Sequence, residues 1–209
     1  MLRLIFVRHG RTSWNVQGRV QGGGGLDEIG RAQAMRLADA FASEPLAAVY
    51  SSPALRARQT GGAVAKRRGL PVRRRRLLAD LDYGRYAGAL LADVQRERPD
   101  LFETWRAAPH TVHFEGGECL ADLRERVRRF IAQAYANHDG FTVLAATHDS
   151  PVRVAASLAL GLGDEKHTDP DLRTPLASIT ELEVEGPHLR LVRHKDAAHL
   201  AGIDDGFGR

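Results

Sequence analysis

Apolar positions along this chain follow two spacings in alternation. Leu2 to Val7 is an almost unbroken apolar run that ends at Arg8-His9-Gly10. Ala47–Tyr50 and Phe141–Ala146 are two more, stopped by Ser51-Ser52-Pro53 and by Thr147-His148. Short apolar runs bounded in this way predict strands buried on both faces. Between them the spacing becomes helical, as in Asp27–Phe41, where Ile29, Ala34, Leu37, Ala38 and Phe41 share one stripe. Ser51-Ser52-Pro53, with a hydroxyl cap and a proline in the first turn, predicts a helix running to about Arg68, stopped by Gly69. Further helices are predicted from Glu118 through Asn137 and over Val152–Leu160, and a closing hairpin from Ser178–Glu183 and Leu189–Arg193 around Gly186-Pro187. The glycine-rich stretch Ser13–Gly25 predicts a loop. Asp80–Gly117 is the least regular region, with short helices around Leu90–Arg98 and Leu101–Ala107.

Strand and helix in alternation predict an α/β domain with a mainly parallel sheet and an antiparallel piece at its end. The 209 residues suit a single domain over 1–209, without repeats or an obvious linker. With 43% hydrophobic and 27% charged residues, disordered and fibrous classes are excluded. No apolar run approaches the ~18 residues of a membrane span, so no membrane partner is expected. One cysteine, Cys119, cannot form an internal disulfide, and the N-terminus carries no signal-peptide pattern. Both point to a cytoplasmic protein.

The net charge of +4 suggests an anionic partner, until its distribution is considered. Lys66–Arg76 holds seven of the 30 basic residues and no acid; the remainder of the chain is mildly acidic. This cluster reads as a solvated loop without interleaved aromatics, and no nucleic acid is expected as a partner. More informative cations stand at predicted strand ends, where open α/β sheets place their ligand sites. Arg8, His9 and His148 lie there, and Arg56 is one turn into the helix after Ser51-Ser52. Such donors suit the oxygens of a phosphoryl group.

The same residues carry a resemblance. Arg8-His9-Gly10-Arg11-Thr12-Ser13-Trp14-Asn15 is similar to the RHGxTxWN signature of the histidine phosphatase superfamily, the phosphoglycerate-mutase-like group. Gly18-Arg19-Val20-Gln21-Gly22, Ser51–Thr60 (close to SSPLxRAxQT), Gly116-Gly117-Glu118, Thr147-His148 and Asp196–Leu200 continue it in the family's order. The resemblance implies a three-layer α/β/α sandwich with a cap-like region around 80–117. It also implies a nucleophilic His9, with Arg8, Arg56 and His148 around the phosphoryl oxygens. Asn15, Thr12, Gln21 and Asp82 are candidate phosphate or substrate contacts. The family's acid/base, usually a Glu, corresponds here to Asp80 in Leu78–Gly84; Asp82 is its rival. Aspartate is one methylene shorter, so its backbone must sit closer to the reacting group. No metal and no cofactor are implied.

Other departures carry expectations of their own. Arg11 stands where a Glu is frequent, adding positive charge beside His9. Asp149 follows His148, where it either orients that ring or caps the next helix, and Cys119 reads as a small buried residue at a helix start. Trp14 and Trp105 read as packing or pocket-wall residues. The expected activity is hydrolysis of a small phosphomonoester through a phosphohistidine. Mutase-type phosphoryl transfer and a low-activity phosphate-binding module are the alternatives. An exposed edge strand makes a homodimer possible.

Overall fold

The computed structural model describes residues 1–20 and 23–206. Its strands are β1 (Leu2–Arg8), β2 (Leu46–Ser51), β3 (Val72–Arg74), β4 (Thr142–Thr147), β5 (Ile179–Glu185) and β6 (His188–Asp196). The helices are α1 (Ser13–Val16), α2 (Glu28–Ala40), α3 (Leu55–Arg67), α4 (Leu91–Glu97), α5 (Pro99–Ala107), α6 (Leu120–His138) and α7 (Asp149–Ala159). One sheet joins all six strands in the order β3-β2-β4-β1-β5-β6. The first four are parallel, and β5 and β6 pair antiparallel. This is the mainly parallel α/β sheet that the alternation predicts, closed by the expected hairpin.

Period-two alternation inside the buried strands supplies both faces of the sheet. Leu4 and Phe6 of β1 enter the core with Leu123, Val127 and Phe130 of α6 and Val152 of α7. Ile5 and Val7 enter the opposite core with Leu37 of α2 and Val64 of α3. Each such side chain contributes about 1.5–3 kcal/mol when fully buried. The three layers therefore follow from strands with no polar face.

Three local expectations are corrected. A short helix, α1, interrupts the stretch read as a loop, because Thr12 and Asn15 form a reciprocal capping box. Helix α3 starts later than predicted, after an Ala54 that makes no side-chain cap. Ser52 is drawn instead into a contact with His148 described below. The basic cluster is not simply a solvated loop, since Val72–Arg74 pairs in parallel with β2. Arg73 and Arg75 lie over the Tyr50 ring at 5.9 and 5.0 Å, so the edge strand carries its charge on an aromatic face.

The 80–117 region contributes α4, α5 and a group of aromatic rings. Phe114 lies 4.9 Å from Tyr83 and 5.1 Å from Trp105, between ring centroids. Together with Tyr86 and Arg19 they line a mostly apolar cavity of about 300 Å³. Trp14 packs beneath Arg19, 5.4 Å from its guanidinium carbon.

Candidate active site

The sheet order brings the C-terminal ends of β2, β4 and β1 side by side. Arg8 pairs in register with Thr147, and Ser51 with Ala146. The next peptide of β1 continues the pairing, with His9 N–H donating to the Thr147 carbonyl at 2.9 Å. His9 and His148 are thereby neighbours at the crevice edge, their ring centroids 5.2 Å apart. Arg56 reaches them from the first turn of α3. His9, Arg56 and His148 are all buried, at 3%, 4% and 1% exposure.

The turn after His9 depends on close backbone approach. A Cβ on Gly10 would stand 2.7 Å from the Gly30 carbonyl oxygen, and one on Gly30 only 2.0 Å from that of Arg11. Gly10 N–H also donates to Thr60 Oγ1 at 3.0 Å. The turn is thus pressed against α2 and tied to α3.

His9 Nδ1 lies 2.8 Å from the Gly10 carbonyl, which can only accept, so the proton sits on Nδ1 and Nε2 keeps its lone pair. Burial pushes the imidazole well below its usual pKa, and the charges of Arg56 and Arg8 push it further. Neutral His9 is therefore the form present near neutral pH. His148 is held low by burial and by Arg56 in the same way. Its Nδ1 accepts from Arg56 Nη2 at 2.9 Å, which places its proton on Nε2, 2.8 Å from Ser52 Oγ.

Asp80 belongs to this group. Its Oδ2 is 3.3 Å from Arg56 Nη2 and 3.6 Å from His148 Nδ1. Burial raises its pKa, against the opposing pull of Arg56. The backbone leading to Asp80 is fixed from two sides. Arg126 of α6 donates to the carbonyls of Leu77, Ala79 and Asp80, at 2.6–3.2 Å, and holds Glu118 through two bonds of 2.8 Å. Thr147 Oγ1 adds a 2.6 Å bond to the Leu78 carbonyl.

Other predicted site residues make contacts outside this group. Arg8 donates to the Thr174 carbonyl and lies 3.8 Å from Asp149. Asp149 neither orients His148 nor caps α7. It accepts from both the backbone and the hydroxyl of Thr174 and pairs with Arg153. Burial would raise its pKa, but Arg8 and Arg153 outweigh burial and hold it below the ordinary carboxylate range. Asn15 lines the cavity beside Arg8, with Oδ1 occupied by Thr12. Thr12 itself is fully buried, and its hydroxyl is committed to the cap of α1 instead of a ligand. Asp82 is exposed and turned away, accepting from Gly84 N–H at 2.9 Å where the chain leaves the strand ends. Gln21 lies outside the described residues.

The positive charge of Arg11 is paired with Asp27, the cap of α2, at 2.9 Å, so it is spent there and not beside His9. Cys119 is half-buried at the start of α6, with its Sγ 3.1 Å from Asp122. Ser52, Thr60 and Arg126 support the site without being candidates from sequence. Ser52 and Thr60 carry a signal there, as members of the Ser51–Thr60 motif, and Arg126 carries none.

Beside the cluster is a cavity of about 490 Å³ whose walls include Arg8, Asn15, Arg19, Arg173 and Lys195. Among the described residues, no group of three His, Cys, Asp or Glu is placed to hold a metal ion.

Comparisons with known proteins place this arrangement in context. The family model of the histidine phosphatase superfamily, branch 1, matches residues 4–197. Phosphoserine phosphatase 1 of Hydrogenobacter thermophilus is 35% identical over 164 residues, 78% of this chain and 78% of that protein. YhfR of Bacillus stearothermophilus superposes with a TM-score of 0.90 at 28% identity, over 96% of this chain and 100% of its own. A mycobacterial glucosyl-3-phosphoglycerate phosphatase, solved with VO3, superposes with a TM-score of 0.84 at 26% identity, over 93% and 99% of the two chains.

Proposed function

The chain belongs to branch 1 of the histidine phosphatase superfamily and is a phosphoric monoester hydrolase; we propose that it acts on a small phosphomonoester through a phosphohistidine on His9. The observation that carries this reading is the fixed tautomer of His9. A neutral ring, with its Nδ1 proton held by Gly10 and its Nε2 lone pair available, is an activated nucleophile.

In the first step His9 Nε2 bonds to phosphorus as the P–O bond to the leaving group breaks. Asp80, its pKa raised by burial, gives its proton to the departing oxygen and releases an alcohol. In the second step water attacks phosphorus, Asp80 takes a proton from it, and the N–P bond breaks to free phosphate and His9. Arg8 and Arg56 offset charge on the transferring group, where positioning and electrostatics supply most of the rate. His148, an acceptor toward Arg56 in the unliganded site, becomes a donor once a phosphate dianion raises its proton affinity. Hydrolysis is favoured over mutase-type transfer because the similar phosphoserine and glucosyl-3-phosphoglycerate proteins are phosphatases.

The test is trapping. Brief reaction with a 32P-labelled phosphomonoester should leave acid-labile, base-stable label on the wild type and none on His9→Ala, with turnover reduced by about 10⁴-fold or more. Phosphate release that persists in His9→Ala would overturn the reading.

A further inference from the structure

The cavity next to the phosphoryl site has a charge pattern that, Arg8 apart, hydrolysis of the ester does not use. Four cations line it, Arg8, Arg19, Arg173 and Lys195, against one lining acid among the described residues, Asp205. Arg8 is partly offset by Asp149, 3.8 Å away. Among the described residues, the Arg19 guanidinium donates to the Gln17 side chain and the Gly88 carbonyl, neither of them charged. The guanidinium of Arg173 makes no hydrogen bond or ion pair among the described residues. Lys195 is 3.7 Å from Asp171, a carboxylate that is 97% exposed and so screens it weakly.

Lys195 also occupies an unusual backbone position. Ile179 pairs with Asp196 and Glu181 with Arg193, so β6 carries one residue more than β5 between those pairs. Within this bulge Lys195 has φ = 60°, a left-handed conformation uncommon for a residue with a side chain. Bulges re-aim side chains beside functional sites, and local strain is retained where the surrounding structure demands it. Here the re-aimed side chain lines the cationic cavity.

We propose that this cavity holds a second anionic group of the substrate, one not transferred, with Arg173 and Lys195 as its specificity-determining contacts. The inference rests on the phosphatase reading and narrows its substrate class to phosphomonoesters bearing another oxyanion, a carboxylate or a second phosphate. Arg173 supplies a planar fork that either group can accept, and Lys195 a point charge. Neither residue shares a hydrogen bond or ion pair with His9, Arg56, His148 or Asp80 among the described residues, so both are assigned to binding and not to chemistry.

Steady-state kinetics of the full chain distinguish the cases. Phosphoserine and 3-phosphoglycerate present a carboxylate, fructose 1,6-bisphosphate a second phosphate, and glycerol phosphate neither. The wild type should favour at least one acidic substrate over glycerol phosphate by about tenfold or more in kcat/KM, and which one identifies the anion. In Arg173→Gln/Lys195→Gln that preference should fall about tenfold, chiefly through KM, while Arg173→Lys with Lys195 intact keeps most of it. Equal use of glycerol phosphate by the wild type, or an unchanged preference in the double variant, overturns the inference and leaves the phosphatase reading intact. Absence of His9-dependent turnover on every ester sinks both.

Discussion

Arg56 and Arg98 are the same side chain in opposite surroundings. Arg98, in the 80–117 region, makes the better-formed ion pair, with two bonds of 2.8 and 3.0 Å to Asp100. Its side chain is 46% exposed, and its partner's 68%. Arg56 has a looser 3.3 Å approach to Asp80, but only 5% of its side chain meets solvent. Burial lowers the pKa of Arg56, although Asp80 opposes it. Water screens the first pair and is kept from the second. The quality of contact geometry therefore misjudges which pair matters. The exclusion of water at the strand ends leaves the charge of Arg56 less screened, and the same exclusion moves Asp80, His9 and His148 away from their ordinary pKa values.

The largest effect that would test this contrast is at Asp80. Asp80→Asn should lower kcat for an alkyl phosphate by about 10²–10³-fold, and much less for p-nitrophenyl phosphate, whose leaving group needs no proton. Stability should move in the other direction. Because the native pKa is raised, the folded state binds the Asp80 proton more tightly than the unfolded chain does. Any stability from that proton is complete below the ordinary carboxylate pKa and is lost as pH rises through the native value. The asparagine variant should thus gain in melting temperature relative to wild type at neutral pH, and the gain should vanish near pH 3. A loss of kcat that is equal for both leaving groups would remove Asp80 from the acid role.

Arg126 sharpens the same contrast by one step of distance. It touches no reacting atom, yet every N–H of its guanidinium is used on the Leu77–Asp80 carbonyls and Glu118. Arg126→Leu should destabilise the fold by about 2–3 kcal/mol by denaturant titration, since it strands buried acceptors. It should also lower kcat by about tenfold and shift the pH limb assigned to Asp80. Arg126→Lys should restore little, because an ammonium cannot span three carbonyls and a carboxylate. A stability loss with an unmoved pH profile would reduce Arg126 to a structural clamp.

These two residues also show what the sequence makes legible. The strand ends could be read directly, because continuous apolar runs stop at Arg8-His9 and Thr147-His148, and parallel pairing then aligns those ends. Asp80 could be found by its place in a family pattern, but what sets it apart from Asp82, its burial and its distance to Arg56, is legible only in three dimensions. Arg126 was hidden, since an arginine in the middle of an amphipathic helix looks like any solvated one. Its three carbonyl partners lie 46–49 residues away in sequence, beyond the reach of local pattern. The same limit explains Ser52, whose hydroxyl serves a histidine 96 residues later instead of capping α3. The Thr12 hydroxyl shows the converse, a local capping box that engages a side chain the family pattern offers for phosphate. Val72–Arg74 was concealed by charge, because an edge strand needs only a paired backbone and a place for its side chains, which Tyr50 provides.

The smallest effect belongs to Arg98, and its smallness is the point. Arg98→Ala removes a bidentate ion pair and a 2.9 Å bond to the Tyr86 hydroxyl. If contact geometry set the energy, this would be a costly change. Both charged partners are largely exposed, so solvent replaces what the substitution takes away, and two ordered side chains regain rotamer freedom. The melting temperature should move by no more than about 2 °C at physiological salt, with kcat within about twofold of wild type. Repeating the melt at about 1 M salt isolates the cause: the wild type and variant should converge, because exposed pairs are screened while the buried Arg56 cluster is not. A large Arg98→Ala effect that persisted at high salt would mean that the 80–117 region excludes water as strongly as the strand ends do. The division between a dry catalytic edge and a wet cap would then fail.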